Sequence, residues 1–194
     1  RTPALSTYQT ANLLETARRT VTTALRSIDT EFCYNVASRR KLTQDQMRLL
    51  RWLLAETFEP ENFAPSSFLT SHSALRIPHV VVEVGPRMNF STAWSSNAVS
   101  VCHACGLTMI DRVERSRRFL LRLRERVSLT PEQRSVFLGL VHDRMTECPY
   151  PAPLRTFATG IKPEKVKVVP LLEEGRAALE RINRDRGLGM DDWD

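Results

Sequence analysis

The feature that most restricts the fold of this chain is an internal repeat with a spacing of 87 residues. Shifting the sequence by that amount superimposes a strand, a helix start and a buried helix face on second copies of themselves. The matched positions are Phe32 with Phe119, Tyr34 with Leu121, Thr43 with Thr130 and Leu50 with Phe137. Such self-similarity is typical of two fused copies of one small folding unit.

The first half of the repeat predicts a helix, a strand and a second helix. Apolar residues recur at helical spacing over residues 6–26, which indicates a helix with one buried face. Residues 28–36 alternate between apolar and polar side chains and predict a half-buried strand. Thr43 and Gln46 form a capping-box pattern, which predicts a helix from there to about residue 57.

The second half predicts the same order after an opening strand. His79–Val84 holds a nearly continuous valine run, which is typical of a central strand. A short helix over residues 95–105 should end at Gly106, and two strands should follow at Met109–Arg115 and Arg117–Arg124. Thr130 and Pro131 then predict a helix start. We expect this helix to bury Val136, Phe137, Leu140, Val141 and Met145.

These patterns predict an α+β fold in which two halves pack around a pseudo-two-fold axis, with helices on one face of an antiparallel sheet. The duplicated domain should span residues 1–149. The first half has no counterpart of the strand His79–Val84, so we expect that strand to precede Arg1. Residues 150–194 are rich in proline and predict a linker with one helix, Leu171–Arg186, leading into further chain.

The net charge of +6 belongs entirely to the first 149 residues, because residues 150–194 hold eight basic and eight acidic side chains. Seven arginines fall between Arg112 and Arg126. They favour either a solvated arginine-rich strand face or a surface for nucleic acid, phosphorylated molecules or an acidic partner. Only Phe119 interleaves with them, whereas single-strand nucleic-acid binding uses several aromatic platforms.

No residue of the chain fits a standard catalytic or metal-binding motif. Cys102 and Cys105 form a CxxC pair, but no second ligand pair accompanies it, so we predict no metal site. The sequence from His142 to Arg144 is interpreted as a surface ion cluster. Four cysteines in a chain of this length indicate reduced thiols and an intracellular, cytoplasmic protein. No apolar stretch approaches the length of about 18 residues that a membrane span needs.

One segment, VVEVGPRMNFSTAWSSN (81–97), has the composition of an anion-binding loop. It places an arginine after a core strand and small polar side chains at a predicted helix start, where free backbone N–H groups favour anions. The candidate residues are Arg87, Ser91, Thr92, Ser95, Ser96 and Asn97. In the alternative interpretation, the hydroxyl groups only cap the turn and the helix, and Trp94 packs on the sheet.

Four segments carry a family resemblance that runs through nearly the whole chain. They are GPRMNFSTAWSSNAVSVCHACGL (85–107), DRVERSRRF (111–119), HDRMTE (142–147) and GRAALERINRDRGLGMDDWD (175–194). They resemble the amino-terminal region of the phosphoribosylformylglycinamidine synthase family of amidotransferases. The segments EFCYNV (31–36) and PALS (3–6) agree with this resemblance.

The resemblance implies an enzyme of purine biosynthesis, a ligase that converts formylglycinamide ribonucleotide to its amidine with ATP, Mg²⁺ and ammonia from glutamine. In this family the amino-terminal domain is similar to a fused dimer of a small subunit, and a hydrophilic linker follows. The synthetase and glutaminase domains, with all catalytic, nucleotide and metal residues, come later in the chain. The resemblance therefore implies an inactive scaffold and coupling module with no cofactor of its own, whose partners are those domains.

Two alternatives remain open on the sequence. One is a basic nucleic-acid-binding module that uses Arg112–Arg126. The other is a stand-alone regulatory homologue without synthetase domains.

Overall fold

The computed structural model describes residues 1–55, 58–65, 68, 79–124, 128–160, 162 and 165–191. Within them the chain forms two compact units, Arg1–Thr159 and Gly160–Asp194. The helices are α1 (Thr7–Thr20), α2 (Gln44–Leu54), α3 (Ala93–Ala104), α4 (Pro131–Val141), α5 (Leu171–Glu174) and α6 (Arg176–Arg186), and Pro60–Asn62 forms a 3₁₀ turn. The strands are β1 (Leu25–Ser38), β2 (His79–Pro86), β3 (Ile110–Leu123) and β4 (Glu147–Tyr150).

The first unit is built on a four-stranded sheet in the order β1-β3-β2-β4, in which all neighbours pair antiparallel. The predicted α+β class is confirmed. The predicted interior position of the valine-rich strand is confirmed too, because β2 lies between β3 and β4. β4 is an edge strand, and an edge tolerates its Pro149 because that position needs no ladder N–H.

The described helices of this unit pack against one face of the sheet. Side chains alternate between the two faces of a strand, so Val113, Phe119 and Leu121 of β3 point the same way. Phe119 and Leu121 join the core cluster that contacts α1 and α4. Val113 joins the second cluster, which contacts α2 and α3. The opposite face of β3 carries Arg112, Glu114, Ser116 and Arg118, and it is called the polar face below.

Local capping signals locate three helix starts. Ser6, Thr43 and Thr130 each accept a hydrogen bond from the backbone N–H three residues on, and a glutamine side chain returns a bond to the cap. This reciprocal arrangement satisfies two backbone donors that a helix start otherwise leaves free. At the other end of α3, Gly106 has a φ of 83°. That left-handed conformation suits glycine and ends the helix as predicted.

Several predicted boundaries in the first half and around β3 are wrong. The helix predicted over residues 6–26 ends at Thr20, and β1 already begins at Leu25. The two strands predicted at Met109–Arg115 and Arg117–Arg124 form the single strand β3. The polar residue Ser116 suggested a break between two strands. In the structure it pairs with Cys33, and the register continues through it. A buried serine can continue a strand where its hydroxyl group finds partners.

Predictions for α4 and for the last helix also need correction. Only Phe137 and Val141 of the predicted buried stripe are buried, while Val136, Leu140 and Met145 are exposed. The helix ends at Val141, so Met145 lies beyond it. The helix predicted at Leu171–Arg186 is divided into α5 and α6 by Gly175, whose φ is 56°.

The pairing of β1 with β3 agrees with the internal repeat. Both strands have 14 residues, and Glu31 lies opposite Arg118 near their middle. These two residues are also separated by the repeat spacing of 87 positions. A two-fold axis through that pair would therefore exchange the strands and preserve the register. The repeat itself stays a prediction.

The outer edge of β1 is partly covered by the start of the chain. Arg1 and Phe32 exchange two backbone hydrogen bonds, at 2.9 and 2.7 Å, and the N–H of Ala4 donates to the carbonyl of Thr30. The strand expected before Arg1 stays a prediction. The predicted boundary between the duplicated domain, residues 1–149, and the linker, residues 150–194, also stays a prediction.

The second unit, Gly160–Asp194, is described by itself. Arg181 and Glu174 form an ion pair at 2.6 Å that joins α6 to α5. The side chain of Asn183 donates to the carbonyl of Met190 and accepts from its N–H, so it folds the segment after α6 back onto the helix. Gly187, with a φ of 61°, ends α6 where the sequence predicted a helix end.

Gly85 offers a test of the packing between β2 and β4. A Cβ atom at this position would lie 2.8 Å from ring atoms and the hydroxyl oxygen of Tyr150, which itself donates to the carbonyl of Pro86. We expect Gly85→Ala to lower the free energy of unfolding by about 1–3 kcal/mol, as overpacking does. Urea denaturation followed by circular dichroism measures it.

The matched control is Gly139→Ala in α4, where a Cβ atom would meet nothing within 4 Å. Since alanine favours helix over glycine, this change should raise the stability by up to about 1 kcal/mol. Equal stability of Gly85→Ala and the unchanged chain would contradict the close approach of Tyr150.

Candidate functional site

The predicted anion-binding loop follows β2, and its arginine is exposed. The backbone N–H of Arg87 donates to the carbonyl of Thr146 at 2.9 Å. Its Nε and Nη2 donate to the carbonyl of Arg144 at 3.1 and 2.6 Å. Arg87 therefore fastens the loop to the segment before β4. Its Nη1 group has no hydrogen-bond partner among the described residues. That part of the guanidinium can therefore still donate to an external group.

An ion pair on the polar face of β3 fixes the rest of the loop. Arg112 donates from Nη1 to the carbonyl of Met88 at 3.0 Å, from Nη2 to the carbonyl of Phe90, and from Nε to Glu114 at 3.1 Å. The fully buried Glu114 accepts from the backbone N–H of Thr92 at 3.1 Å and from its hydroxyl group at 2.8 Å. The conformation of residues 88–92 is thus set by a buried charge pair.

The helix begins at Ala93, two residues earlier than predicted. Thr92 is the N-cap of α3, and its hydroxyl oxygen accepts from the backbone N–H of Ser95 at 3.0 Å. Ser95 is buried in the first turn, whereas Ser91, Ser96 and Asn97 are exposed. The helix start was expected to attract an external anion. In the structure, the carboxylate of Glu114 already lies beside it.

The structure therefore does not gather the six predicted residues around one point. Arg87 contacts the segment before β4, Thr92 contacts Glu114, and Asn97 lines a recess between α2 and α3. Sequence reasoning missed Arg112 and Glu114 as the residues that hold the loop. An arginine two residues before a glutamate in a strand places both side chains on one face, which is the signal that could have found them.

The centre of the polar face is a buried charge network. Arg118 donates from Nε to Glu83 at 2.7 Å and from Nη1 to Glu31 at 3.4 Å. Ser116 donates to the second oxygen of Glu83 at 2.5 Å, and the amide of Asn35 donates to Ser116 at 3.1 Å. Burial alone would lower the pKa of Arg118. The bond to Glu83 and the nearby acidic groups outweigh burial, so the pKa of Arg118 is raised and the side chain stays charged.

Most arginines of β3 form internal contacts, so among the described arginines the expected solvated strand face holds only for Arg115 and Arg124, which are exposed. Arg118 is 5% exposed. Arg117 binds Glu147 at 2.7 Å, and Arg122 binds Asp29. Arg115 lies over the rings of Phe32 and Trp94, at 4.2 and 5.3 Å from their centroids. The predicted half-buried strand needs a correction only at Glu31, which lies on its polar side and is 2% exposed.

Three of the four cysteines lie in environments that disfavour the thiolate. All four are free, and within the CxxC pair Cys102 is buried while Cys105 is exposed at the end of α3. Burial raises the pKa of the Cys33, Cys102 and Cys148 thiols, which keeps them protonated near neutral pH.

The predicted ion cluster after α4 has a structural role. The carboxylate of Asp143 accepts from the N–H of Met145 at 2.8 Å and from the hydroxyl group of Thr146 at 2.9 Å. These bonds lower the pKa of Asp143. His142 is the C-cap of α4 rather than a helical residue.

No three His, Cys, Asp or Glu side chains in the described part of the chain are grouped so that they could hold a metal ion. None of its helices is long and apolar enough to cross a membrane.

The fold and the contacts define an α+β domain whose charged residues mainly hold its own loops and strands. A family model described as formylglycinamide ribonucleotide amidotransferase N-terminal matches residues 31–155. The chain belongs to this family.

Relatives match over most or all of the chain. Phosphoribosylformylglycinamidine synthase of Dictyostelium discoideum is 46% identical over 197 residues, which cover 100% of this chain and 14% of the relative. A probable chloroplastic or mitochondrial enzyme of that name from Arabidopsis thaliana is 44% identical, with the same coverage. The Homo sapiens enzyme is 38% identical over 88% of this chain and 12% of its own length. The chain therefore spans about one seventh of the length of these relatives.

Glu114 tests whether the buried charge pair holds the loop. We expect Glu114→Gln to lower the free energy of unfolding by about 1.5–3 kcal/mol, because the change removes charge-assisted bonds to Arg112 and Thr92 inside the protein. Urea denaturation measures the loss. Glu15→Gln on the exposed side of α1 is the matched control and should stay within about 0.5 kcal/mol of the unchanged chain. A loss no larger than that of the control would show that the pair does not hold the loop.

Proposed function

We propose that this chain is the amino-terminal scaffold and coupling module of a longer formylglycinamide ribonucleotide amidotransferase. The longer protein would convert formylglycinamide ribonucleotide to its amidine with ATP, Mg²⁺ and ammonia from glutamine. The observation that carries this proposal is the family match over residues 31–155, together with relatives about seven times as long. Synthetase and glutaminase domains of the same chain are the proposed partners.

The reaction would take place outside these residues. The described side chains offer internal ion pairs and helix caps rather than a general base beside a nucleophile. The raised pKa of the Cys102 thiol argues against a glutaminase nucleophile at this position. The module would instead present a rigid sheet and a fixed loop to the neighbouring domains. A cytoplasmic location remains part of the proposal, because the name of the Arabidopsis thaliana relative gives a plastid or mitochondrial location for that protein.

The loop over residues 85–97 is our candidate for the part of the module closest to the substrate. Two observations support it. The buried pair of Arg112 and Glu114 holds the loop in one conformation, as a site that positions a ligand requires. The exposed Arg87 retains Nη1 donors without a partner among the described residues, and these could bind a phosphate or carboxylate.

Turnover by the isolated chain tests the proposed role. We expect the 194-residue chain to show no ATP consumption with formylglycinamide ribonucleotide and ammonia, whereas the longer protein that contains it turns over. The measurement is a coupled assay of ADP release. ATP-dependent amidine formation by the chain alone would contradict the assignment as a scaffold.

Arg87 tests the loop in the longer protein. We expect Arg87→Ala to raise the apparent KM for formylglycinamide ribonucleotide about tenfold, which corresponds to the loss of one charge-assisted bond. Arg124→Ala, a change at an exposed arginine after β3, is the matched control and should leave KM unchanged. An unchanged KM in Arg87→Ala, with the fold intact by circular dichroism, would remove the loop from the substrate site.

A nucleic-acid-binding module is disfavoured by the internal contacts of β3. Four of its arginines bind carboxylates of the same unit, namely Arg112, Arg117, Arg118 and Arg122. Phe119, the aromatic residue among them, is fully buried and cannot stack on a base. Filter binding at two salt concentrations separates the two classes, since a steep loss of binding with salt is typical of phosphate contacts.

A further inference from the structure

A recess of about 330 Å³ lies between α2, α3 and the sheet. Its walls are mainly apolar and aromatic, and they are formed by Tyr34, Leu53, Leu54, Trp94, Ala98 and Val101. Two polar side chains, Asn97 and Arg115, also line it. A concave apolar surface with a few polar groups is the usual composition of a small-molecule site, and this volume is near the lower end of the range for such sites.

Arg115 differs from the other arginines of β3 in what its guanidinium contacts. Arg112, Arg117, Arg118 and Arg122 each lie within ion-pair distance of a carboxylate. Arg115 contacts the rings of Phe32 and Trp94 instead, and no carboxylate among the described residues pairs with it. A cation–π contact uses the positive charge but none of the five guanidinium N–H donors. The recess therefore has a positive group that can still bind an anion.

The aromatic walls add a preference for a flat ligand. The ring centroids of Tyr34 and Trp94 lie 5.9 Å apart, with the ring planes inclined by 40°. Aromatic side chains favour tilted or offset contacts with another ring, and Tyr34 and Trp94 both line the recess. The amide of Asn97 could in addition donate to or accept from a polar substituent.

We propose that this recess binds a small planar aromatic anion of one or two fused rings. The ring lies among Tyr34, Trp94 and the aliphatic side chains of α2 and α3. The anionic group accepts hydrogen bonds from the guanidinium of Arg115. The proposal concerns only this chain and does not depend on the reaction of any longer protein.

The experiment compares two probes of matched shape on the full 194-residue chain. The anionic probe is 1-naphthoate, and the neutral probe is 1-naphthalenemethanol, which keeps the rings and lacks the charge. Equilibrium dialysis gives the dissociation constants, and intrinsic tryptophan fluorescence reports contact with Trp94 in a Trp52→Phe, Trp193→Phe background. We expect saturable binding of one equivalent of 1-naphthoate, at least tenfold tighter than the neutral probe.

Three variants locate the site. Arg115→Gln should weaken 1-naphthoate binding about tenfold and leave the neutral probe unchanged, because only the charge-assisted bonds are lost. Ala98→Phe should fill the recess and abolish binding of both probes, with folding checked by circular dichroism. Arg124→Gln removes an equal charge from an exposed position and should change neither affinity.

Two results would overturn the proposal. One is the absence of saturable 1-naphthoate binding to a folded chain. The other is an affinity for 1-naphthoate that is the same in Arg115→Gln as in the unchanged chain, since that would place any binding elsewhere or make the charge irrelevant.

Discussion

The buried guanidinium of Arg118 is the interaction on which the sheet depends. It lies on the middle strand of three and binds Glu83 of β2 on one side and Glu31 of β1 on the other. Ion pairs in a protein interior are poor sources of net stability, because the cost of removing both charges from water offsets their attraction. What they impose is specificity. Once two carboxylates are buried, the strands that carry them must keep the register that brings each one to the cation.

This requirement explains the distribution of charge on the molecule. The face of the sheet that packs against the helices is mainly apolar, although Arg115 and Arg117 also lie on it. The other face holds the ion pairs of Arg112, Arg118 and Arg122. Arg112 and Glu114 extend the pairs toward the loop after β2, and Phe157 lies over the guanidinium of Arg112 at 4.5 Å. An arginine-rich strand in this chain is thus part of the internal structure. Its ion pairs join β3 to the other strands of the sheet and hold the loop after β2, as the proposed scaffold role requires.

The elements predicted correctly from the sequence are those with local causes. The capping box of Thr43 and Gln46 lies within four residues, and the valines of β2 identify a central strand without knowledge of its partners. Burial of Glu31 could not be predicted, because its partner Arg118 is 87 positions away in the chain. Isolated from that partner, a glutamate in an alternating strand is expected to face water.

The candidate site shows the same limit. Three hydroxyl residues within five positions could each cap α3, and the carboxylate of Glu114 selects Thr92 among them. The recess lined by Arg115 also depends on packing, because it needs β1, β3, α2 and α3 in place. The local sequence pattern identified the segment 81–97 as a candidate site. Only the tertiary contacts show which of its side chains bind other parts of the protein and which remain accessible.

The most direct test of this account is the stability of Arg118→Met, which keeps much of the side-chain volume and removes the charge. Glu83 and Glu31 would then lose the guanidinium that binds both of them, and we expect the free energy of unfolding to fall by about 3–5 kcal/mol. Converting Glu31 and Glu83 to glutamine in the same chain should recover a large part of that loss. A decrease of less than about 1 kcal/mol in Arg118→Met, measured by urea denaturation at neutral pH, would contradict the central role of this ion network.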